Sequence, residues 1–483
     1  MLLLNVAEDL VLFSQKRSGE RRYHSGFPDT RLNSGLEHFN ETILTLRVLF
    51  HTFGCKANQY DTERMRQELE AWGAKTTTER PEADVFVVNT CTVTNQADAD
   101  ARRFIRRLQR EVPSAQIVVS GCSAALNPDD YHSMDGVSGV VEGHDPVAVA
   151  SLVASNVPVQ IELRSSLDRI DTEPIGGELL RVRRGAARGW LKVQDGCDRK
   201  CAFCATRLAR GYSRSRHPSQ VLAEAKLLAE VHAELVITGI HIGHYGKDLA
   251  PEWTLSRLVA ELMEKLPDVR FRLGSIEATE IDDLTIELLA TSGGQLAPHL
   301  HMPLQSGADP VLKRMRRWHS REQYRCRVLE IADRIWPLGL GADVITGFPG
   351  ETPTDHAATC SLIRELPFTY LHVFPFSPRD GTVATGLPNP VPQRIAGERS
   401  RELREMANDK GLAYKASRVG GPAEVIVEGE SGTALTGDYL RVGLVGLDRD
   451  SNGLSGPRYS GTLQGDKEHL YIELSQDLAA ILG

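Results

Sequence analysis

The sequence predicts an α/β chain in three parts: a doubly wound parallel sheet, a partial (β/α)6 barrel and a small C-terminal β-barrel. Three observations carry this. Apolar strand patterns alternate with helical ones from Leu44 onward. Strand–helix units then recur six times between 190 and 375. Beyond Gly420, short strands separated by Gly and Asp turns replace the helices.

Residues 1–43 read as an extension without clear elements. In the first domain (44–150), a strand at 46–52 (LRVLFHT) runs into Gly54-Cys55. A helix at 60–72 follows, with Met65, Leu69 and Trp72 on one face. The strand 84–89 (DVFVVN) runs into Thr90-Cys91, a basic helix covers 96–111, and the strand 116–120 (QIVVS) ends at Gly121-Cys122. Ligands of such sheets sit outside the carboxyl ends of the strands. The three cysteines therefore converge on one sheet edge. A connector (151–185) starts helical and becomes polar, and its basic end, RVRRGAARG, leads into the next strand.

In the second domain (186–419), strands fall at 190–195, 234–239, 270–275, 299–304, 341–346 and 370–375, with helices at 219–231 and 322–335 among those between. Six units instead of eight predict a barrel open on one side. A charged helix at 391–417 is stopped by Gly420-Gly421-Pro422. The module at 420–480 reads as a barrel like the OB-fold.

Composition excludes several classes. Of 483 residues, 41% are hydrophobic and 25% charged, which is ordinary for globular chains. No apolar run reaches the roughly 18–20 residues that span a bilayer. The opening MLLLNVAEDLVLF lacks the basic flank and cleavage site of a secretory signal. A reducing cytoplasm is expected, with thiols that are free, metal-bound or catalytic. The net charge of −8 gives no sign of a nucleic-acid partner.

The segment DGCDRKCAFCATRLARG holds Cys197, Cys201 and Cys204 in a C-x3-C-x2-C run. Three thiolates on one loop do not complete a four-ligand structural zinc site. They can hold three irons of a 4Fe–4S cubane and leave the fourth open to a small ligand. Phe203 offers a flat apolar neighbour for an adenine. A zinc loop completed by a distant ligand, and a redox dithiol, are the alternatives from spacing.

C-x3-C-x2-C after the first strand of a six-unit barrel resembles the radical S-adenosylmethionine (SAM) superfamily. FHTFGCKANQYD, FVVNTCTVTNQAD, VVSGCSA, QDGCDRKCAFC, ARGYSRSR, HMPLQSG, DVITGFPGET and HVFPFSPRDGT resemble, in order, its methylthiotransferases. The resemblance implies a flavodoxin-like first domain, a radical-SAM barrel and a TRAM-like RNA-binding module. It implies one 4Fe–4S cluster on Cys197, Cys201 and Cys204 with SAM on the open iron, and a second on Cys55, Cys91 and Cys122. SAM would act as radical source and as methyl donor, and these six cysteines would be both metal-binding and catalytic. SAM contacts are expected from Phe203, Thr238, Gly239, Ser275, Glu277, Gln305, Ser306, Ile345 and Gly347. Arg210 resembles a family arginine near the site.

TGIHIGHYGKDL and HLHMPLQSG favour the branch that adds a methylthio group at C2 of N6-threonylcarbamoyladenosine beside the tRNA anticodon. Action on isopentenyladenosine, on a ribosomal-protein aspartate, or a non-catalytic iron–sulfur RNA-binding role are the alternatives. The partners implied are tRNA, an electron donor such as a flavodoxin or ferredoxin, and no membrane, with the chain a monomer. Four arginine-rich runs, at 102–110, 181–188, 199–216 and 313–325, predict a phosphate-binding surface. His241, His244, His299 and His301 read as packing or loop residues, and Cys326 and Cys360 as buried small hydrophobes. The acidic C-terminal module (Glu424, Glu428, Glu430, Asp438, Asp448, Asp450, Asp466, Glu468) counts against RNA affinity there.

Overall fold

The computed structural model describes residues 46–155, 179–428, 432–445 and 458–474. The 1–43 extension, most of the connector, and Glu430, Asp448 and Asp450 lie outside the described residues.

The first domain runs β1 (Arg47–Thr52), α1 (Lys56–Ala71), β2 (Lys75–Thr76), β3 (Val85–Thr90), α2 (Asn95–Glu111), β4 (Gln116–Gly121), α3 (Cys122–Leu126), α4 (Pro128–His132), β5 (Val137–Val140) and α5 (Pro146–Ser155). Its parallel sheet has the order β2-β1-β3-β4-β5. The central strand β3 is buried along its whole length, as its apolar run requires of a strand covered on both faces. Val85 and Val87 pack against Met65 and Leu69 of α1 and Val149 and Val153 of α5. Phe86 and Val88 pack against Phe104, Ile105 and Leu108 of α2. Thr94 caps α2, its hydroxyl accepting from Ala97 N at 3.1 Å. Helix α1 starts at Lys56, directly after Cys55, rather than at 60. Its first turn is polar because it faces the second domain, so apolar periodicity does not mark it.

The second domain continues with β6 (Arg188–Lys192), β7 (Gln194–Asp195), α6 (Thr206–Arg210), β8 (Arg214–Ser215), α7 (Pro218–Ala229), β9 (Glu234–Thr238), α8 (Leu255–Lys265), β10 (Arg270–Leu273), α9 (Asp283–Thr291), β11 (His299–His301), α10 (Asp309–Arg314), α11 (Arg321–Arg334), β12 (Gly339–Thr346), α12 (Pro353–Glu365), β13 (Tyr370–Pro375) and α13 (Gln393–Arg418). Two parallel half-sheets, β6-β9-β10 and β11-β12-β13, meet through a Ser275–His301 bridge. The result is a six-stranded partial barrel.

Register and alternation assign the two faces of its strands. Leu191, Leu235, Phe271, Leu300, Leu340 and Val373 pack outward in the helix-covered core. The inner face carries Arg188, Trp190 and Lys192 on β6, Glu234 on β9, Arg270 and Arg272 on β10, His299 and His301 on β11, Asp343 on β12, and Tyr370 and His372 on β13. A complete barrel fills its interior with branched apolar side chains. This one carries polar and charged side chains inside.

The first domain closes the open side. Along β6, Gln59 of α1 accepts from Trp190 Nε1 at 3.1 Å, and Lys192 Nζ meets Asp61 at 2.7 Å. Beyond β13, Arg379 pairs with Asp98 and donates to Thr92.

The C-terminal strands β14 (Pro422–Glu428), β15 (Thr433–Thr436), β16 (Arg441–Val445), β17 (Tyr459–Gly465) and β18 (Leu470–Leu474) form a closed barrel. It docks under the amino ends of the larger barrel's strands. Arg188 reaches Glu428 at 2.6 Å, and Arg272 donates to Gly437 O at 2.8 Å and Thr436 O at 3.0 Å. Asp438 is 2% exposed and held by Arg418 at 2.8 Å and Tyr414 at 2.7 Å. Tyr439 stacks on His299, ring centres 4.2 Å apart. Three of the module's acids therefore face the rest of the molecule: Glu428 and Glu424 meet the second domain's arginines, and Asp438 meets the end of α13. The charge of these three is met inside the molecule, while Asp466 and Glu468 are exposed.

Candidate cluster and radical site

Cys55, Cys91 and Cys122 stand at the ends of β1, β3 and β4. Glycines let them approach. A Cβ on Gly54 (φ 106°) would lie 2.8 Å from Cys91 Sγ, and one on Gly121 (φ 102°) 2.3 Å from Asn89 Oδ1. Cys91 Sγ accepts from Val93 N at 3.4 Å. Cys122 Sγ accepts from Arg210 Nε at 3.3 Å and lies 3.4 Å from His144 Nε2. Burial pushes the Cys91 thiol up to about 11 and the Cys122 thiol up to about 12.

Cys197, Cys201 and Cys204 lie on the loop between β7 and α6. Cys204 Sγ accepts from Thr206 N at 3.4 Å, Cys201 Sγ from Arg317 Nη1 at 3.5 Å, and Cys197 Sγ lies 3.6 Å from His241 Nδ1. Burial pushes the Cys197 thiol up to about 12.

Both triads suit polynuclear clusters. Soft thiols with N–H donors and an adjacent guanidinium fit iron–sulfur ligation, where hydrogen bonds to sulfur tune the centre. Among the described residues, three other groups bring their donor atoms to single-ion spacing, and neither cysteine triad does. That weighs against the zinc alternative, since one zinc draws its ligands close together.

Arg210 joins the two sides. It is 2% exposed and donates to Asp61 at 2.7 Å, to Asn58 at 2.6 Å and to both oxygens of Asp195 at 3.0 Å, besides Cys122. Lys192 meets the same two carboxylates at 2.7 and 2.6 Å. Burial raises the Asp61 and Asp195 carboxyls, but these cations outweigh it and hold both below the usual range. Burial, and then Arg210, lowers His144 to about 3. Helix α3, which begins with Cys122, packs on α6 through Ala125 and Ala209. The carboxyl ends of the two sheets therefore face each other across this seam.

The expected SAM contacts divide. Phe203 and Ile345 border one apolar cluster with Ala202 and Phe348. Ser275 is exposed at the barrel mouth. Gln305 holds a left-handed φ of 64°, strained for a residue with a side chain, fixed by backbone bonds to Asp343 O at 2.8 Å and from Ile345 N at 2.9 Å. The other positions have structural partners. Thr238 O accepts from Val193 N at 2.9 Å. A Cβ on Gly239 would meet Gln194 O at 2.7 Å, and one on Gly347 would meet Ala396 Cβ at 2.4 Å. Ser306 Oγ accepts from Ala308 N at 3.2 Å. Glu277 has a structural reason at the mouth: it pairs with Arg317, which also touches Cys201.

Two further expectations need correction. Cys326 is exposed, while Cys360 is buried between His356 and Glu402. The histidines are packed residues: His241 Nε2 lies 2.9 Å from Glu280, which also meets Arg199 at 2.9 Å, and His299 and His301 share the Tyr370 hydroxyl at 2.8 and 3.1 Å inside the barrel. The arginine runs do not form one surface: Arg188, Arg210, Arg216, Arg317 and Arg321 are spent on internal acceptors. Arg103, Arg106, Arg107 and Arg110 on α2 do face solvent, beside His51, Phe53 and Phe104. Spacing along the chain did not separate these cases, because a seam residue and a surface residue look alike in a basic run. Lys56, Asp61, Lys192 and Asp195 lie outside the basic runs, and nothing local marks them as seam residues; Asp61 and Asp195 sit within the QYD and QDGC motifs, which are the available signal.

Residues 191–363 match the radical SAM superfamily, and residues 47–142 match the uncharacterized protein family UPF0004. The fold and the cysteine loop thus define a radical SAM enzyme, a class that uses a 4Fe–4S cluster and SAM. The chain is 35% identical over 395 residues to the threonylcarbamoyladenosine tRNA methylthiotransferase of Bacillus subtilis (strain 168), covering 79% of this chain and 84% of that one. It is 34% identical over 405 residues to the enzyme of that name from Rickettsia prowazekii (strain Madrid E), covering 83% and 91%. It is 33% identical over 397 residues to the tRNA-2-methylthio-N(6)-dimethylallyladenosine synthase of Bacillus pumilus (strain SAFR-032), covering 80% and 77%. The chain belongs to the radical SAM methylthiotransferase family.

Proposed function

We propose that the chain adds a methylthio group at C2 of N6-threonylcarbamoyladenosine next to the anticodon of tRNA. The observation that carries this reading is the pair of cysteine triads facing each other across Arg210, in a chain whose relatives bear that activity in their names. Cys197, Cys201 and Cys204 hold the SAM-binding cluster, and Cys55, Cys91 and Cys122 hold a second. When bound, the clusters and SAM supply the radical chemistry and the sulfur that an unactivated C–H bond requires.

The chain's own residues bind, orient and exclude water. Arg317 and Arg210 offset thiolate charge on either side. Phe203 and Ile345 give an apolar face for adenine, with Ser275 and Gln305 at the mouth. The polar barrel interior receives the modified base, and the outer arginines of α2 meet tRNA phosphates. Among the described residues no helix is long and apolar enough to cross a membrane; we place the protein in the cytoplasm as a monomer served by a flavodoxin or ferredoxin. We take the domain limits as 44–150, 186–419 and 420–480.

The test is mass spectrometry of tRNA nucleosides from a strain lacking the gene. Loss of the 2-methylthio form of threonylcarbamoyladenosine, restored by the wild-type gene and not by Cys204→Ala, is expected. Loss of the isopentenyl form instead would move the chain to the other branch.

A further inference from the structure

We propose that Lys56 binds the carboxylate of the substrate's N6 substituent and so sets which modified adenosine is accepted; this rests on the substrate reading above. Lys56 opens α1, next to Cys55. Its Nζ lies 5.9 Å from the ring centre of Trp190 on the inner face of β6, so a first-domain side chain enters the second domain's barrel. There Arg188 and Arg272 repel it, while Glu234 and a Cys55 thiolate attract it.

The carboxylates on and beside the barrel's inner face are already engaged. Glu234 is held by Arg270 at 2.6 Å and Arg272 at 2.8 Å, and Glu428 by Arg188 at 2.6 Å. Asp61 and Asp195 are shared by Lys192 and Arg210, and Asp343 lies between His301 at 3.1 Å and His372 at 3.3 Å. Among the described residues no hydrogen bond or ion pair reaches Lys56 Nζ. A half-buried ammonium that no carboxylate pairs directly is available to an anionic ligand group.

Location narrows the anion. Cys55, the neighbouring residue, belongs to the triad that would hold the second cluster under the proposed function, and that cluster would supply the sulfur. The charge that Lys56 meets therefore belongs to a group close to the reacting carbon. The threonylcarbamoyl substituent ends in a carboxylate, whereas the isopentenyl substituent is uncharged. The outer N–H of its urea can close a hydrogen-bonded ring onto N1 of the base. That turns the amino-acid end toward the C2 edge, the side that Lys56 would meet in this proposal.

The test compares anaerobic holoenzyme on two anticodon-stem RNAs, one with threonylcarbamoyladenosine and one with its carboxamide analogue. Lys56→Met should lower kcat/KM on the acid about a hundredfold and on the amide less than about threefold, since a pocket built for a polar group discriminates by lost pairing. Lys56→Arg should recover much of the loss. Iron and sulfide content checks that each variant carries its clusters. Equal losses on both RNAs would overturn the proposal and point to a phosphate contact. A raised KM for SAM alone would assign Lys56 to the SAM carboxylate and overturn it too, as would unchanged rates on both. A wild-type enzyme that ignores the acid RNA and modifies an isopentenyl one would fail the substrate reading itself; that result is seen without any variant and takes the Lys56 assignment with it.

Discussion

Replacing Arg210 by Gln tests how the two domains are held together. The buried seam balances Arg210 and Lys192 against Asp61 and Asp195. His144 adds no charge there, because burial and Arg210 lower it to about 3. Without Arg210, two carboxylates share one ammonium, and Asn58 Oδ1 and Cys122 Sγ lose a donor. Breaking a buried pair in this way costs about 3–5 kcal/mol, roughly a few hundred- to several-thousand-fold in the docking equilibrium. Arg210→Lys should recover only part, because a single ammonium cannot span acceptors that a planar fork reaches together. Adding Asp61→Asn to Arg210→Gln restores the charge balance, so the double variant should be more stable than the summed single losses by at least about 1 kcal/mol. The assay is anaerobic urea unfolding of holoenzyme with hydrogen exchange read across α1 and α6. Strict additivity, or an Arg210→Gln protein with unchanged exchange in both helices, would refute the argument.

Other outcomes follow from the same geometry. Replacing Cys55, Cys91 and Cys122 together by Ala should halve the iron from about eight to about four per chain, by elemental analysis after anaerobic reconstitution; retention of about eight would remove them as ligands. Asp438→Ala strands Arg418 and the Tyr414 hydroxyl, so the C-terminal module should become protease-sensitive with a loss of about 2–4 kcal/mol, measured by limited proteolysis and thermal unfolding. Arg106→Glu with Arg110→Glu should weaken tRNA binding and reduce the salt slope of log Kd by about 1–2, with no change if α2 faces only solvent. Burial, then Arg272 and Lys56, holds His299 well below its ordinary value, so it is neutral when folded. Its contribution is intact above the unfolded value near pH 6.5 and is lost as pH falls, by at most about 1.4 kcal/mol per unit. His299→Gln should flatten the stability profile of the holoenzyme between pH 6.5 and 5.5 by about that slope.

The elements were legible because each obeys a local rule. DVFVVN is apolar throughout, and β3 is buried on both faces; ELVIT, RFRL and YLHVFP carry β9, β10 and β13 close to the expected bounds. The cysteine loops could be found because ligand spacing is itself local. What joins the domains was not legible. Asp61 and Arg210 are 149 residues apart, and Arg379 and Asp98 281 apart; nothing in either neighbourhood signals the other. The alternation in RFRL and HLH did carry information about a polar barrel interior. It was passed over because a charged residue in a strand reads as a solvent face until the strands are known to curl around a cavity. Part of the C-terminal module's acidity is internal for a related reason: Glu424 and Glu428 answer arginines more than 150 residues upstream.

The stack of Tyr439 on His299 also bears on how the barrel is built. It lays a ring of the C-terminal module against a side chain of the larger barrel's inner face. The barrel's wall is thus finished by other domains at both ends, by the first domain along β6 and by this module beneath β11. Removing the module would therefore uncover His299 as well as cost the chain a domain.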